Sequence, residues 1–115
     1  MLSPEELEIL EATLLPALER HHLRLLAHGL RTLQSISGGQ TSPMPSRQTV
    51  HAWAMRQPAS AGDAPFADAF SAQMEALALQ LQQIAGDGAA PLALDLTDLI
   101  RWSRHQADRR LAGEG

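Results

Sequence analysis

Residues 2–36 read LSPEELEILEATLLPALERHHLRLLAHGLRTLQSI, and this stretch decides the fold. Ser3 can cap a helix, Pro4 suits the first helical position, and Glu6 completes a capping box. The helical pattern then continues to the end of the quoted stretch, where a Ser-Gly-Gly sequence stops it. We therefore predict one long N-terminal helix over residues 4–36.

Pro16 interrupts this helix. A proline inside a helix removes one hydrogen bond, and its ring clashes with the carbonyl four residues earlier, here that of Ala12. We therefore predict a kink or a break near residues 13–15.

The apolar stripe also turns by roughly 80° at the proline, because successive helical residues are about 100° apart. The first part of the stripe is Leu7, Leu10 and Leu14, and the second is Leu15, Leu18, His22, Leu25, Leu26, Leu33 and Ile36. We expect the two parts to contact different surfaces, one of which can belong to another chain.

Three further helices follow the first. Ser46 caps a short helix over residues 47–57, Asp63 caps one over 64–85, and Asp95 caps the last, over 95–111. Their inward positions are Val50, Trp53 and Ala54; Phe66, Phe70, Met74, Leu77, Leu81 and Ile84; and Leu96, Leu99, Ile100, Ser103 and Ala107. Short connections favour antiparallel neighbours. We predict one all-α domain over residues 1–115, a four-helix up-and-down antiparallel assembly with a short second helix.

Composition supports this fold class and limits the functions. The chain has a single Val and four Ile among many Leu and Ala, which suits helices better than strands. It has no Cys, so disulfides and thiolate sites are excluded. The formal net charge of −4 disfavours general binding to nucleic acid or anionic membranes. With no signal peptide and no apolar stretch of membrane-spanning length, we expect a cytoplasmic protein, and its Arg-rich, Lys-free composition suggests a bacterial one.

Three histidines cluster on the first helix. His21 and His28 lie two helical turns apart, about 10 Å along the axis, which is too far to share a metal without ligands from elsewhere. His22 falls at the centre of the apolar stripe, where a neutral imidazole with one hydrogen-bond partner fits in a core. We expect no metal and no other cofactor, and keep metal or ligand binding by this cluster as a third hypothesis.

Arginines form two flanks that could contact phosphates. Arg20, Arg24 and Arg31 lie on the first helix, whereas Arg101, Arg104 and Arg109 lie on the last, beside Arg110. Acidic residues precede both groups, the arrangement that the helix dipole favours, so solvated helix faces explain the arginines without a ligand. A helical nucleic-acid-associated regulator is therefore the alternative hypothesis.

No segment carries a catalytic signature. The glycine pairs lack the strand, helix and Lys of a phosphate-binding loop, and the acidic pairs sit in first turns, where capping explains them. We therefore predict no catalytic residues and no enzymatic activity.

A protein-binding surface is the remaining class of function. Several large apolar or aromatic residues have no obvious partner within the chain and could form an interface: Ile9, Leu23, Leu30, Leu79 and Trp102. Our main hypothesis is a small non-enzymatic interaction or adaptor protein with a protein partner. We further expect it to self-associate as a homodimer through the N-terminal helix.

Overall fold

The computed structural model describes residues 2–114, and these contain five α-helices. The helices are α1 Pro4–Glu11, α2 Ala17–Ile36, α3 Arg47–Arg56, α4 Ala64–Ala85 and α5 Leu96–Arg109. A 3-10 turn, Pro91–Ala93, precedes α5, and a wider π-helical turn, Arg110–Glu114, follows it. No strand occurs in this part of the chain, so the predicted all-α class is confirmed.

The predicted long first helix is two helices, so the described chain has five α-helices where the sequence predicted four. Pro16 lies at the N-cap of α2 with φ −55° and ψ 153°, values that end helical geometry between residues 12 and 16. The α1 helix stops at Glu11, and the Thr13 hydroxyl donates to the Leu10 carbonyl at 2.7 Å. Proline is tolerated here because its missing N–H is not needed at a helix start. The result is a break and not a kink.

The chain reverses at this break, and α1 packs antiparallel against α2. Two ion pairs show this antiparallel orientation. Glu6, early in α1, pairs with Arg31, late in α2, and Glu11, at the end of α1, pairs with Arg24. The side-chain hydrogen bond from Arg31, aided by the Ser3 backbone N–H, lowers the pKa of Glu6. The acidic residues of α1 therefore neutralise arginines of α2 across the helix pair.

Helix α2 is the centre of the fold, because α1, α3, α4 and α5 all contact it. Leu23 and Leu30, which the sequence placed outside the apolar stripe, are buried in the core on this helix together with Leu26 and Leu33. These four leucines of α2 are thus covered by other helices of the same chain, whereas Leu18 and Leu25 of the same helix stay exposed.

Helix α4 passes close to α2 at Gly29. A Cβ atom added at Gly29 would lie 2.7 Å from Leu77 Cδ1, closer than real side chains approach. Because glycine has no Cβ, the two helices can meet at this point.

Helix α3 lies antiparallel to α4, because Arg47 at its start pairs with Glu75 and His51 further along pairs with Asp68. His51 Nε2 lies 2.8 Å from Asp68 Oδ1, and the Trp53 ring stacks on Phe70 with centroids 5.9 Å apart. Phe66 was predicted to point inward but is about half exposed, stacked on Phe70. The smaller residues Ala67 and Ser71 occupy the buried face there.

Helix α5 also runs antiparallel to α2. The Gln34 amide, late in α2, donates to the Leu92 carbonyl at 3.0 Å, and Glu19, early in α2, pairs with Arg110. Four of the five residues predicted to face inward on α5 are buried, namely Leu96, Leu99, Ser103 and Ala107. Asp95 caps the helix through the Asp98 N–H at 2.9 Å, as predicted.

Candidate functional site

A groove of about 530 Å³ lies between α2, α4 and α5, near the start of α2 and the end of α5. Its lining combines apolar, amide and charged side chains: Leu18, Glu19, His22, Gln80, Trp102, Gln106, Arg109 and Arg110. We refer to it as the α2–α5 groove. Clefts of this size with a few polar groups are typical of binding sites.

An ion pair between the buried Glu19 and the exposed Arg110 joins the two long walls of the α2–α5 groove. Glu19 is only 8% exposed, and Arg110 donates to both of its carboxylate oxygens, with Nη2 to Oε2 at 3.0 Å. The hydrogen bond from Arg110 lowers the pKa of Glu19, although desolvation opposes this, and the same bond raises the pKa of Arg110. Both groups therefore stay charged, and a bidentate pair of this kind fixes the geometry of the two helices.

The aromatic wall of the groove is formed by Trp102 and His22. Their rings meet edge to face, with centroids 5.8 Å apart and planes at 71°. The prediction of His22 as a core residue is wrong, because this side chain is only half-buried and lines the groove. The next residue, Leu23, takes the core position, and His22 is thereby rotated toward α5.

Exposed leucines surround this end of the molecule. Leu18 is 67% exposed at the groove, and Leu14 and Leu111 are 100% and 68% exposed beside it. The latter two line a neighbouring cleft of about 450 Å³ together with Pro16 and Arg104. Leu14 and Leu18 were predicted as stripe positions that contact a covering surface, but no other part of residues 2–114 covers them.

The residues predicted for an interface separate into two groups. Leu23 and Leu30 are buried in the core of the chain, so they cannot form an interface with a partner. Ile9 on α1 and Leu79 on α4 are 50% and 65% exposed, whereas Trp102 is half-buried. Of these residues, the structure places Trp102 in the α2–α5 groove and leaves Ile9 and Leu79 outside it.

The predicted phosphate contacts are not gathered into one surface. Arg24 and Arg31 are engaged by acidic residues of α1, and Arg20 is half-buried on the same helix. On α5, Arg101 lies 3.5 Å from Asp98, while Arg109 lines the α2–α5 groove and Arg104 the neighbouring cleft. The folding back of α1 thus pairs Arg24 and Arg31 with carboxylates, as Asp98 does for Arg101 on the last helix.

The histidine cluster does not form a ligand set. His21 and His28 are exposed on α2 and face solvent, while His22 contacts Trp102. Within residues 2–114, no group of three or more His, Cys, Asp and Glu side chains could hold a metal ion. None of the helices in that part of the chain is long and apolar enough to span a bilayer.

Comparison with known protein families gives a match over all five α-helices. The family described as NDH complex assembly factor CRR9 matches residues 2–110, which cover all five helices. The chain belongs to this family. No curated protein and no solved structure is significantly similar to this CRR9-family chain.

The match to the CRR9 family includes every residue that lines the α2–α5 groove, Arg110 among them. The pair of Glu19 and Arg110 was missed from the sequence, where the helix dipole explained Arg110 and Glu19 was assigned no role. Placing the last helix antiparallel to the segment after Pro16 would have brought the two together. The predicted up-and-down order implies that orientation, but it does not give the register that pairs Glu19 with Arg110.

Proposed function

We propose that this protein is a non-enzymatic assembly factor that binds a protein subunit while a larger complex is being built. The family match over residues 2–110 carries this proposal, because the family is described as NDH complex assembly factor CRR9. The partner would accordingly be a subunit or an assembly intermediate of an NDH complex.

The surface chemistry supports a role in protein binding. Exposed leucines beside a partly buried tryptophan and arginines form the combination most often found at the energetic centres of protein interfaces. Apolar residues grouped on the surface of a small protein mark an interaction site more often than scattered ones do. Here Leu14, Leu18 and Leu111 are grouped around two adjoining clefts.

Deletion of the gene in the source organism tests the proposal. We expect fully assembled NDH complex to decrease on native gels, assembly intermediates to accumulate, and the wild-type gene to restore the complex. The tagged protein should co-purify with subunits of that complex, mainly from the intermediate fractions. Unchanged complex levels after deletion, together with no captured subunit, would show that the proposed role is wrong.

We further propose self-association through α1, as a separate property. Ile9 is 50% and Leu7 37% exposed on this short helix, which leaves apolar surface that a second copy could cover. Sedimentation at micromolar concentration should then show a dimer that Ile9→Glu converts to monomer, while Leu79→Glu on α4 does not. A wild-type protein that sediments as a monomer contradicts this proposal.

A further inference from the structure

We propose that α1 exchanges between two copies of this chain: in the dimer, α1 of each copy packs on α2 of the other, in the place that its own α1 occupies in the structure. The segment 12–16, here called the hinge, opens and crosses the hinge of the second copy at Leu14. This inference rests on the proposed self-association through α1 and gives its mechanism. The structure shows what fits the site on α2, because α1 itself is seated there.

The contacts that hold α1 can form equally well between two chains. Leu10 is buried, and ion pairs join Glu6 to Arg31 and Glu11 to Arg24. A second copy supplies an identical α1, so an exchanged dimer keeps these contacts, and exchange of this kind is a low-cost route to dimers. The pairing also suits two copies of an acidic chain. With a net charge of −4 they repel each other in most orientations, whereas exchange places glutamates of one copy beside arginines of the other.

The hinge is long enough for this exchange. A few loop residues can absorb the change in backbone angles that releases a helix, and the hinge is not helical. Fully extended, residues 12–16 span about 16–18 Å, whereas the docked end of α1 lies beside Arg24, about 10 Å along the axis from Ala17. The opened form also agrees with the local sequence, because residues 4–36 have the capping and apolar pattern of one kinked helix.

The hinge carries an apolar residue that a single chain leaves uncovered. Leu14 is 100% exposed, whereas the next residue, Leu15, is buried. In a two-fold exchanged dimer the two hinges run past each other, so Leu14 of each copy can pack against the other hinge and lose contact with water. Ile9, 50% exposed, lies in the last turn of α1 beside the same crossing. Exchange therefore adds apolar burial that the monomer lacks, which favours a second copy as the partner.

Chemical crosslinking tests the exchange directly, because the chain has no native cysteine. Glu11→Cys combined with Arg24→Cys places one thiol on α1 and one on α2, at positions whose side chains meet. A short bismaleimide then joins the two thiols in dimers isolated by gel filtration. We expect covalent dimers on a denaturing gel, since the two thiols that meet belong to different chains. Arg47→Cys combined with Glu75→Cys, across α3 and α4, is the matched control and should be crosslinked within one chain.

Variants of the hinge test the crossing. Leu14→Ser should weaken dimerisation about tenfold, the loss expected for one well-placed interface side chain, without changing the thermal midpoint of the monomer. Leu79→Ser, at a leucine 65% exposed on α4, should dimerise like the wild type. Insertion of Gly-Ser-Gly after Leu14 should favour the monomer, because a longer hinge lets α1 close more easily on its own chain. The same insertion after Gly39, in the exposed turn that follows α2, should not.

The outcomes separate this inference from the proposals on which it rests. Dimers whose crosslinks all stay within one chain would overturn the exchange and leave self-association through the surface of α1 in place. An unchanged dimerisation constant in Leu14→Ser would also overturn it. Wild-type protein that sediments as a monomer at micromolar concentration would overturn both the exchange and the self-association. The assembly role is judged independently, by deletion of the gene.

Discussion

The hydroxyl of Ser103 is buried on the inner face of α5, and it has no hydrogen-bond partner among the described residues. A buried hydroxyl that loses water without gaining a partner destabilises the folded state. We therefore expect Ser103→Ala to raise the free energy of unfolding by about 1 kcal/mol, with a smaller added gain from helix propensity. Urea denaturation followed by circular dichroism measures the change.

Ser71 provides the matched control for this measurement. It is equally buried in a helix, but its hydroxyl donates to the Asp68 carbonyl at 3.0 Å. Ser71→Ala gains the same helix propensity and loses a hydrogen bond, so it should be less stabilising than the Ser103→Ala change by about 1 kcal/mol. Equal effects of the two substitutions would mean that Ser103 is satisfied in solution.

Gly29 is a position where size matters more than helix propensity. Alanine would gain up to about 1 kcal/mol from propensity, but its Cβ meets the end of the Leu77 side chain, which must move aside. We expect Gly29→Ala to be near neutral and Gly29→Val to destabilise by about 1–3 kcal/mol through overpacking. In a Leu77→Ala background, Gly29→Ala should become stabilising. The thermal midpoints of this double-mutant cycle check the coupling, and additive effects would contradict the close approach.

The sequence predicted helix caps better than it predicted burial. Ser3, Ser46, Asp63 and Asp95 all accept the predicted backbone N–H, because capping depends only on the next few residues. The assignment of His22 to the core and of Leu23 to the surface was wrong by one position. A helical wheel assumes one covered side, whereas α2 is covered by four other helices, which the local pattern cannot show.

Pro16 separates α1 from α2, yet the reversal does not depend on the proline alone. A continuous helix would pull Leu10 out of the core and break the pairs of Glu6 with Arg31 and Glu11 with Arg24. We therefore expect Pro16→Ala to keep the break and the wild-type helix content by far-ultraviolet circular dichroism. Stability should fall by about 0.4–1 kcal/mol, because proline restricts the unfolded chain.

A gain of helical signal in Pro16→Ala would show that the proline itself prevents fusion of the two helices. Combining Pro16→Ala with Glu6→Gln weakens one contact that holds α1 back against α2. If tertiary contacts maintain the reversal, this double variant should gain more helical signal than Pro16→Ala. The comparison separates local backbone preference from packing.

At the scale of elements, the predicted boundaries of the later helices agree closely with the structure, as in α3 and α4. The sequence also located the interruption at Pro16. It could not give the direction of the chain after the break, because a kinked rod and a helical hairpin share the same local pattern. The paired charges of Glu6 with Arg31 and Glu11 with Arg24 encode that direction, but they lie far apart in sequence.

Across the whole molecule, charge is distributed unevenly in a way that the net value of −4 conceals. Arg24 and Arg31 of α2 are paired with carboxylates of α1, and Arg110, after α5, is paired with Glu19 at the beginning of α2. Because Leu23 and Leu30 are buried, the most exposed leucine of α2 is Leu18, at the beginning of the helix. These two effects together place the candidate site at one end of the molecule, where the sequence alone had pointed to the face of the first helix.

The ion pair of Glu19 with Arg110 links the beginning and the end of the helical unit, and it makes stability depend on pH. Because Arg110 lowers the pKa of Glu19 in the folded state, the unfolded chain takes up a proton at higher pH than the folded chain does. The stabilisation is therefore complete above the unfolded pKa and is lost as the pH falls below about 4. We expect Glu19→Gln to be less stable than wild type at neutral pH, with the difference shrinking on acidification. Urea denaturation at a series of pH values measures both curves.

Glu8→Gln, at an exposed position of α1 that has no ion pair within residues 2–114, should follow the wild-type curve. A constant difference between Glu19→Gln and wild type at every pH would mean that this pair contributes no linked proton.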